Sequence, residues 1–180
     1  ATLVWANEEN IGRLGDQFFE LHKLRWKSRG LPGAFFGKAE SFQKEWMRLA
    51  LRSDTLRMCI LEADGKAVGS IYGMKHGSTT YFYQAGMDPA ASSLSPGTIL
   101  TAALIERAIE DGCTTFDLMR GDEPYKRRWK PGRERVNLRT FVGKNSVLGR
   151  AGEAWNRQAW RVELKLRDRF EGKGLKQSKN

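Results

Sequence analysis

Titratable side chains are concentrated in residues 116–129, FDLMRGDEPYKRRW, where an apolar strand runs into a strongly basic loop. Asp117 lies between Phe116 and Leu118, so the alternation of a strand predicts that its carboxylate points opposite to theirs. A buried carboxylate needs hydrogen bonds or a cationic partner, which Lys126 or one of the two arginines after it can supply. Asp117 is therefore either half of a structural ion pair that holds the loop or a general base whose pKa is raised by burial.

The loop that follows this strand, GDEPYKRRW, adds a proton donor and a cation. Gly121 permits a sharp turn and Pro124 stiffens it. The hydroxyl of Tyr125 can donate a proton to a leaving group, as general acid catalysis requires. Lys126 can hold a phosphate or a substrate carboxylate as a point charge. Asp117, Tyr125 and Lys126 are accordingly the candidate catalytic residues.

A second group of candidate residues lies where a helix predicted over 97–111 begins, after the stretch SSLSPG. The first amides of a helix have no partners within it, and the helix dipole leaves them partly positive. They can therefore cradle a phosphate or a pyrophosphate. Ser95 is placed as N-cap with Pro96 at the first helical position, and Gly97 has no side chain to keep a ligand away. Plain helix capping is the alternative.

The elements that must position these residues follow from hydrophobic periodicity and turn signals. Helices are predicted at 8–29 and 39–52, then strands at 55–64, 67–76 and 80–88. After the helix at 97–111 come strands at 114–119 and 135–143 and a helix at 146–170. The first three strands form an antiparallel meander, and a strand–helix–strand crossover then makes the next strand parallel. The predicted fold class is α/β (α+β) with a mixed sheet.

The net charge of +10, from 31 basic and 21 acidic side chains, is unevenly distributed. Residues 120–139 contain 8 basic and 3 acidic side chains, or +5, and residues 144–180 contain 10 and 4, or +6. Such a field attracts phosphate-bearing partners such as a nucleotide cofactor, nucleic acid or an anionic surface. A solvated helix face with a basic tail is the alternative interpretation.

Composition narrows the class of protein further. Cys59 and Cys113 lie in apolar surroundings, which favours reduced thiols and a cytoplasmic location. His22 and His76 are far apart and neither cysteine has zinc-ligand spacing, so no metal site is predicted. No apolar run is long enough for a membrane span, and no signal peptide is visible. Because the chain starts at Ala1 and not at methionine, it is either processed or a fragment of a longer protein, and we expect a fragment.

The stretch at 79–129 closely resembles the acetyltransferase domain of CelD/BcsL-type proteins, a branch of the GNAT superfamily related to the FemAB-like transferases. The resemblance is carried by a strand that ends near Gly86 and Asp88, then SPGTILTA, then FDLMRGDEPYK and the tryptophan after it. It implies a GNAT fold over a single domain at 1–180, and, because family members are often longer, that this chain is the C-terminal part of a longer protein. The mostly polar residues at 172–180 are predicted to be a frayed tail. The resemblance also implies an acyl-CoA in a V-shaped opening between two parallel strands, with its pyrophosphate at the N-terminus of the following helix.

Site residues implied by the resemblance are carried over position by position. The backbone groups of one strand would face the acyl-pantetheine: Gln84, Ala85, Gly86 and Met87. The pyrophosphate would be surrounded by Ser95, Gly97, Thr98 and Ile99. The family signature is matched by Asp117, Asp122, Tyr125 and Lys126. One departure is that SSLSPG contains a single glycine where such phosphate loops usually contain several.

The function implied is an acyl-CoA-dependent N-acyltransferase, with acetyl-CoA or another acyl-CoA as co-substrate. The acceptor would be an amine on a small or sugar-like molecule, and backbone amides near the strand opening would stabilise the oxyanion. A FemAB-like transferase that takes its donor from aminoacyl-tRNA is one alternative. A non-catalytic GNAT-like binding domain, in contact with nucleic acid or another partner, is the other.

Overall fold

The computed structural model describes residues 1–30, 33, 35, 37–121, 123–134, 146–159 and 161. The chain divides into two compact units, Ala1–Lys130 and Pro131–Asn180. In the second unit, residues 147–159 are helical, within the helix predicted at 146–170. The strand predicted at 135–143 and the tail at 172–180 lie outside the described residues. The single domain over 1–180 stays a prediction.

Five strands and four α-helices make up the first unit, as far as the structure describes it. In chain order they are β1 (Thr2–Trp5), α1 (Ile11–Lys27), α2 (Ala39–Arg52), β2 (Leu56–Ala63), β3 (Lys66–His76), β4 (Thr79–Met87), α3 (Pro96–Glu110), β5 (Thr115–Asp117) and α4 (Pro124–Arg127). A 3₁₀ helix, Pro89–Leu94, joins β4 to α3. None of the helices in the described part of the chain combines the length and apolar character that crossing a membrane requires.

The sheet has the order β1-β2-β3-β4-β5. Every neighbouring pair is antiparallel except β4 and β5, which are parallel and joined through α3. The predicted meander, the crossover and the mixed α/β class are confirmed. Sequence analysis missed β1, a four-residue strand at the sheet edge that pairs with β2 from Thr2↔Glu62 to Trp5↔Cys59.

The two faces of the sheet are covered by different helices, and the alternation along β2 shows this. Met58 and Ile60 belong to the core cluster under α1 and α2, whereas Cys59 and Leu61 belong to the cluster under α3. Side chains on successive strand residues point to opposite faces, so a strand buried on both faces reads as a continuous apolar run. The helices α1 and α3 therefore lie on opposite sides of β4, where the candidate site is formed.

A buried arginine ties the centre of the sheet to the end of α3. Arg57 on β2 is 4% exposed. Its Nε donates to Asp111 Oδ2 at 2.5 Å and its Nη1 pairs with Asp54 Oδ1 at 2.9 Å. The carbonyls of Asp54 and Leu56 accept further bonds from Nη1. Burial alone would lower the pKa of Arg57, but the bonds to the two carboxylates outweigh it and raise that pKa.

Candidate active site

The strands β4 and β5 are paired at one end only. Their parallel register covers three positions, Thr79↔Thr115, Thr80↔Phe116 and Tyr81↔Asp117. Beyond Tyr81, β4 continues to Met87 while β5 has ended. An opening, called the strand gap below, therefore lies beside residues 82–87 of β4.

A β-bulge in β4 is the first cause of the strand gap. In the pairing with β3, Tyr72 is opposite Gln84 and Gly73 is opposite Phe82, so Tyr83 is an extra residue on β4. A bulge bends its strand and increases the local twist. The bend falls two residues past the last pair with β5, which turns the rest of β4 away from that strand.

The second cause lies at the end of β5. The side chain of Asp117 accepts a hydrogen bond through Oδ1 from the backbone N–H of Met119 at 2.7 Å. Met119 itself adopts a left-handed conformation with φ 59°, and Gly121 follows with φ 105°. Such an Asx turn satisfies the backbone locally and competes with the strand ladder. The carboxylate in the strand thus directs the chain out of the sheet.

The register with β3 decides which backbone groups of β4 face the strand gap. The N–H of Asp88 donates to Val68 O at 3.0 Å. Because the direction of the backbone groups alternates along an antiparallel pair, those of Gly86 and Gln84 also point to β3. Those of Ala85 and Met87 point the other way, into the strand gap.

At the start of α3 one amide is left without a partner. Ser95 is the N-cap with φ 51°, as the sequence predicts, but its side chain makes no capping bond. Its carbonyl accepts from Thr98 N at 2.9 Å and from Ile99 N at 3.3 Å. Pro96 has no N–H, and no acceptor for the Gly97 N–H is found among the described residues. An anion placed there meets the Gly97 N–H and the exposed side chains of Ser95 and Thr98.

Tyr125 on α4 packs against β4 beside the strand gap. Its ring centroid is 6.2 Å from that of Phe82, the first residue of β4 beyond the pairing with β5. Burial and the negative charge of Glu123 raise the pKa of Tyr125 to about 12, against the opposing effect of Arg25 and Arg29. The phenol therefore keeps its proton at neutral pH.

An arginine of α1, which lies on the other face of the sheet from α3, contacts the edge of β4 that faces the strand gap. Arg25 donates through Nη1 to the carbonyl of Ala85 at 2.9 Å. The helix lies close to the strand, because a Cβ on Gly86 would be 2.5 Å from the backbone N of His22. Gly86 is thus required for the close packing of α1 on β4, and this packing brings Arg25 within reach of the strand gap.

The sequence resemblance implied two parallel strands that separate, with a helix N-terminus beside the opening. The strands β4 and β5 and the start of α3 have this arrangement, and the comparison with known families agrees. Residues 4–127 match the family described as Acetyltransferase (GNAT) domain. The chain belongs to the GNAT acetyltransferase family. The superfamily inferred from residues 79–129 and the predicted enzyme class, an acyltransferase, are thereby confirmed. No curated protein matches the chain.

Solved structures share the fold of this GNAT domain at low identity. An aminoglycoside acetyltransferase from an uncultured soil metagenomic sample, in complex with sisomicin, has a TM-score of 0.58 and 13% identity over 80% of this chain and 96% of its own. The aminoglycoside N-acetyltransferase AAC(6')-Iy, in complex with a CoA bisubstrate analogue, has a TM-score of 0.56 and 19% identity over 81% and 98%. A predicted acetyltransferase from Clostridium acetobutylicum, with acetyl-CoA, has a TM-score of 0.58 and 12% identity over 78% and 94%.

The residues of β4 predicted to bind the co-substrate differ in whether their backbone groups face the strand gap or the neighbouring strand β3. Met87 faces the strand gap through its backbone, and its side chain reaches Gly97: a Cβ there would be 3.1 Å from Met87 Cε. The space that Gly97 leaves is thus taken partly by Met87. Gln84 and Gly86 turn their backbone groups to β3 instead, so in their place Ala85 is the residue that presents its backbone to the gap.

Among the predicted catalytic residues, Lys126 lies in a different environment from the one expected. Its side chain is 8% exposed and forms an ion pair with Glu123 at 2.8 Å. Its ammonium also donates to the carbonyls of Arg120 at 2.7 Å and Gly121 at 3.2 Å. A third bond, to the carbonyl of Met119 at 3.4 Å, means that its three protons are all donated to backbone carbonyls of the loop. The partner proposed for Asp117 was Lys126 or a neighbouring arginine, and among the described ion pairs Asp117 has none.

Two residues near the strand gap were missed by sequence analysis, His22 and Arg25. The imidazole of His22 is 2% exposed and its Nε2 accepts from Trp26 Nε1 at 2.8 Å. Burial, with a smaller effect of Arg25, lowers the pKa of His22 to about 4. A signal was present in the sequence: the apolar stripe of α1, ending at Leu21, continues four residues later at Arg25. A charged residue on the stripe of a helix that faces the core indicates that its charge is compensated there by a hydrogen bond or an ion pair.

Proposed function

We propose that this chain transfers an acetyl group from acetyl-CoA to an amine on a small or sugar-like molecule. The observation that carries the proposal is the strand gap, where the backbone of Ala85 and Met87 is turned away from β3 beside the open N-terminus of α3. A pantetheine amide can pair with that strand edge as a further strand would. We also propose the CelD/BcsL subtype, on the match of FDLMRGDEPYK, and a cytoplasmic location.

The residues present fit the co-substrate at both ends. The Gly97 N–H and the exposed hydroxyls of Ser95 and Thr98 would hold the diphosphate, since a helix N-terminus favours negative charge. Ile99, whose N–H already donates to Ser95 O, would only flank the diphosphate. Met87 and Ala85 would hold the pantetheine, with Gln84 and Gly86 supporting them through the β3 ladder and the α1 contact. Solved neighbours contain CoA or acetyl-CoA, which is consistent with this assignment.

The proposed chemistry balances without a metal or a redox group. The amine nitrogen forms a bond to the thioester carbonyl carbon, the carbon–sulfur bond breaks, and an amide and CoA are the products. Tyr125 would donate its proton to the leaving thiolate. Asp117 would accept the proton that the amine loses, through the carboxylate oxygen that does not bind Met119. Lys126 would contribute indirectly, since it holds the loop that carries Tyr125.

The proposal is tested by titrating the protein with acetyl-CoA and CoA in a calorimeter, with Thr98→Asp as the diagnostic variant. A carboxylate in the first turn interacts favourably with the helix dipole, so the melting temperature should stay the same or rise. The same carboxylate would repel a diphosphate, and we expect the dissociation constant to rise by roughly 10-fold or more.

A matched control places the same charge at the other end of α3. Ile109 is 70% exposed, and Ile109→Asp should leave the affinity for acetyl-CoA unchanged. If neither CoA nor acetyl-CoA binds the unmodified protein, or if both variants weaken binding equally, the proposed placement of the co-substrate is wrong.

A further inference from the structure

The guanidinium of Arg25 is held at the strand gap but is only partly used. Its Nη1 is bound to the carbonyl of Ala85 at 2.9 Å. Its Nε is buried and has no hydrogen-bond partner among the described residues. The Nε and Nη2 donors form one edge of the guanidinium, and this edge is one of those that receive both oxygens of a carboxylate.

The charge of Arg25 is not neutralised by an ion pair within the described part of the chain. Burial lowers the pKa of Arg25, and the nearby charge of Arg29 lowers it further, while Tyr125 and Glu123 act in the opposite direction. The carboxylate of Glu123 forms its ion pair with Lys126. Arg25 is half-buried with a buried Nε. An arginine that is partly removed from water normally has an acidic partner, because an uncompensated charge in a partly dry site is costly.

The position of Arg25 along β4 indicates which part of a bound substrate it would meet. Met87, the last residue of β4, is next to Gly97 at the N-terminus of α3, where the diphosphate would bind. Ala85 lies two residues further in, toward the closed pair Tyr81↔Asp117. Tyr125 is among the groups that influence the charge of Arg25. The guanidinium is thus closer to the reacting end of the strand gap than the α3 N-terminus is.

We propose that Arg25 recognises a carboxylate carried by one of the two substrates, either on the acyl group or on the amine acceptor. The inference rests on the proposed function and narrows its substrate class. The carboxylate would bind the Nε and Nη2 edge, satisfy the buried Nε, and neutralise the charge left by Arg25 and Arg29. The bond from Nη1 to Ala85 O would orient the guanidinium before the substrate arrives.

This assignment differs from what the solved neighbours bind. One of them is in complex with sisomicin, an aminoglycoside. Aminoglycosides carry several ammonium groups, which Arg25 at the strand gap and the nearby charge of Arg29 would repel. An acceptor such as an amino acid or an amino-sugar acid fits the charge better, as does an acyl group that ends in a carboxylate.

The experiment compares matched substrates that differ only in the carboxylate. Succinyl-CoA is compared with butyryl-CoA, whose acyl chain has the same length but ends in a methyl group, and amino acids are compared with their amides. Binding is measured by calorimetry on the unmodified protein and on Arg25→Met. We expect the carboxylate to improve affinity by about 10- to 100-fold in one of the two series, and Arg25→Met to abolish that preference. The series in which it appears identifies which substrate carries the group.

Two further variants separate recognition from folding. Arg25→Lys keeps the charge but loses the planar fork, so most of the preference should disappear while the melting temperature stays close to normal. Arg13 lies on the same helix with its side chain 52% exposed, paired with Glu62. Arg13→Met should leave the preference intact.

Each outcome decides the matter. If acetyl-CoA binds but the carboxylate makes no difference in either series, the inference about Arg25 is wrong and the proposed function stands. If Arg25→Met weakens CoA without an acyl group as much as it weakens succinyl-CoA, Arg25 serves CoA itself and the inference is also wrong. If no thioester binds but amino acids still bind better than their amides through Arg25, the proposed function fails and the carboxylate site stands.

Discussion

Two arginines, the buried Arg57 on β2 and the half-buried Arg25 on α1, show how differently the same side chain is used in this domain. Arg57 is surrounded by Asp111, Asp54 and two backbone carbonyls. Arg25 has one carbonyl and a buried Nε without a partner among the described residues. Arg57 is 4% exposed, whereas Arg25 is half-buried with a buried Nε, so the less deeply buried arginine is the one whose hydrogen bonds are incomplete.

This difference separates a structural residue from a functional one. A buried charge with all its hydrogen bonds made is part of the fold, and its loss is felt as lost stability. A buried charge that is incompletely bonded is retained in spite of its cost, and such residues are concentrated at functional sites. The predictions below use the two arginines, and the histidine next to one of them, to measure this difference.

The largest effect is expected at Arg57. Arg57→Met leaves the carboxylate of Asp111, with its side chain 11% exposed, without its main cation. Removing one partner of a buried ion pair typically costs about 3–5 kcal/mol, and we expect a loss of that size in the free energy of unfolding. Urea denaturation followed by circular dichroism measures it. A loss below about 1 kcal/mol would contradict the structural role of this pair.

A smaller effect is expected from the acid titration of His22. Its pKa is about 4 in the folded protein against 6.5 for an unperturbed histidine, so the unfolded chain binds the extra proton between these values. Stability is therefore fully present above pH 6.5 and falls as the pH drops toward 4, by roughly 3 kcal/mol for this residue.

The check is to measure the free energy of unfolding from pH 7 to pH 4 on the unmodified protein and on His22→Gln. The variant should be less stable at pH 7 and should show a shallower pH dependence. Because Arg25 also lowers the pKa of His22 in the folded protein, Arg25→Met should raise that pKa. The loss of stability should still begin near pH 6.5, but it should be complete at a higher pH and be smaller. Parallel curves for the unmodified protein and the two variants would contradict a buried neutral histidine beside a charged arginine.

Much of the scaffold could be predicted because it depends on local sequence. The helix predicted at 39–52 is α2, Ala39–Arg52, and the three meander strands agree with the prediction within two residues at each end. Apolar periodicity and glycine turns carry that information without knowledge of the partners. The edge strand β1 escaped prediction because four residues give too short a pattern.

The site was predicted less well because it depends on register and on the choice of partners. The strand predicted at 114–119 ends at Asp117, since that side chain takes the N–H of Met119. The bulge at Tyr83 decides which residues of β4 face the strand gap, and nothing in the local pattern fixes it. Several acidic groups were available to Lys126, and the fold selects Glu123.

The smallest effect on the free energy of unfolding is expected for Arg25→Met, although the same substitution at Arg57 should cause a large loss. Arg25→Met keeps the length of the side chain, removes one bond to Ala85 O and also removes a buried donor that lacks an acceptor. The lost bond and the relieved desolvation are each about 1 kcal/mol and opposite in sign, so the free energy of unfolding should change by less than about 1 kcal/mol. The same urea titration measures both variants. If Arg25→Met destabilises the protein as much as Arg57→Met, Arg25 is a structural residue, and its incomplete bonding would no longer indicate a substrate carboxylate.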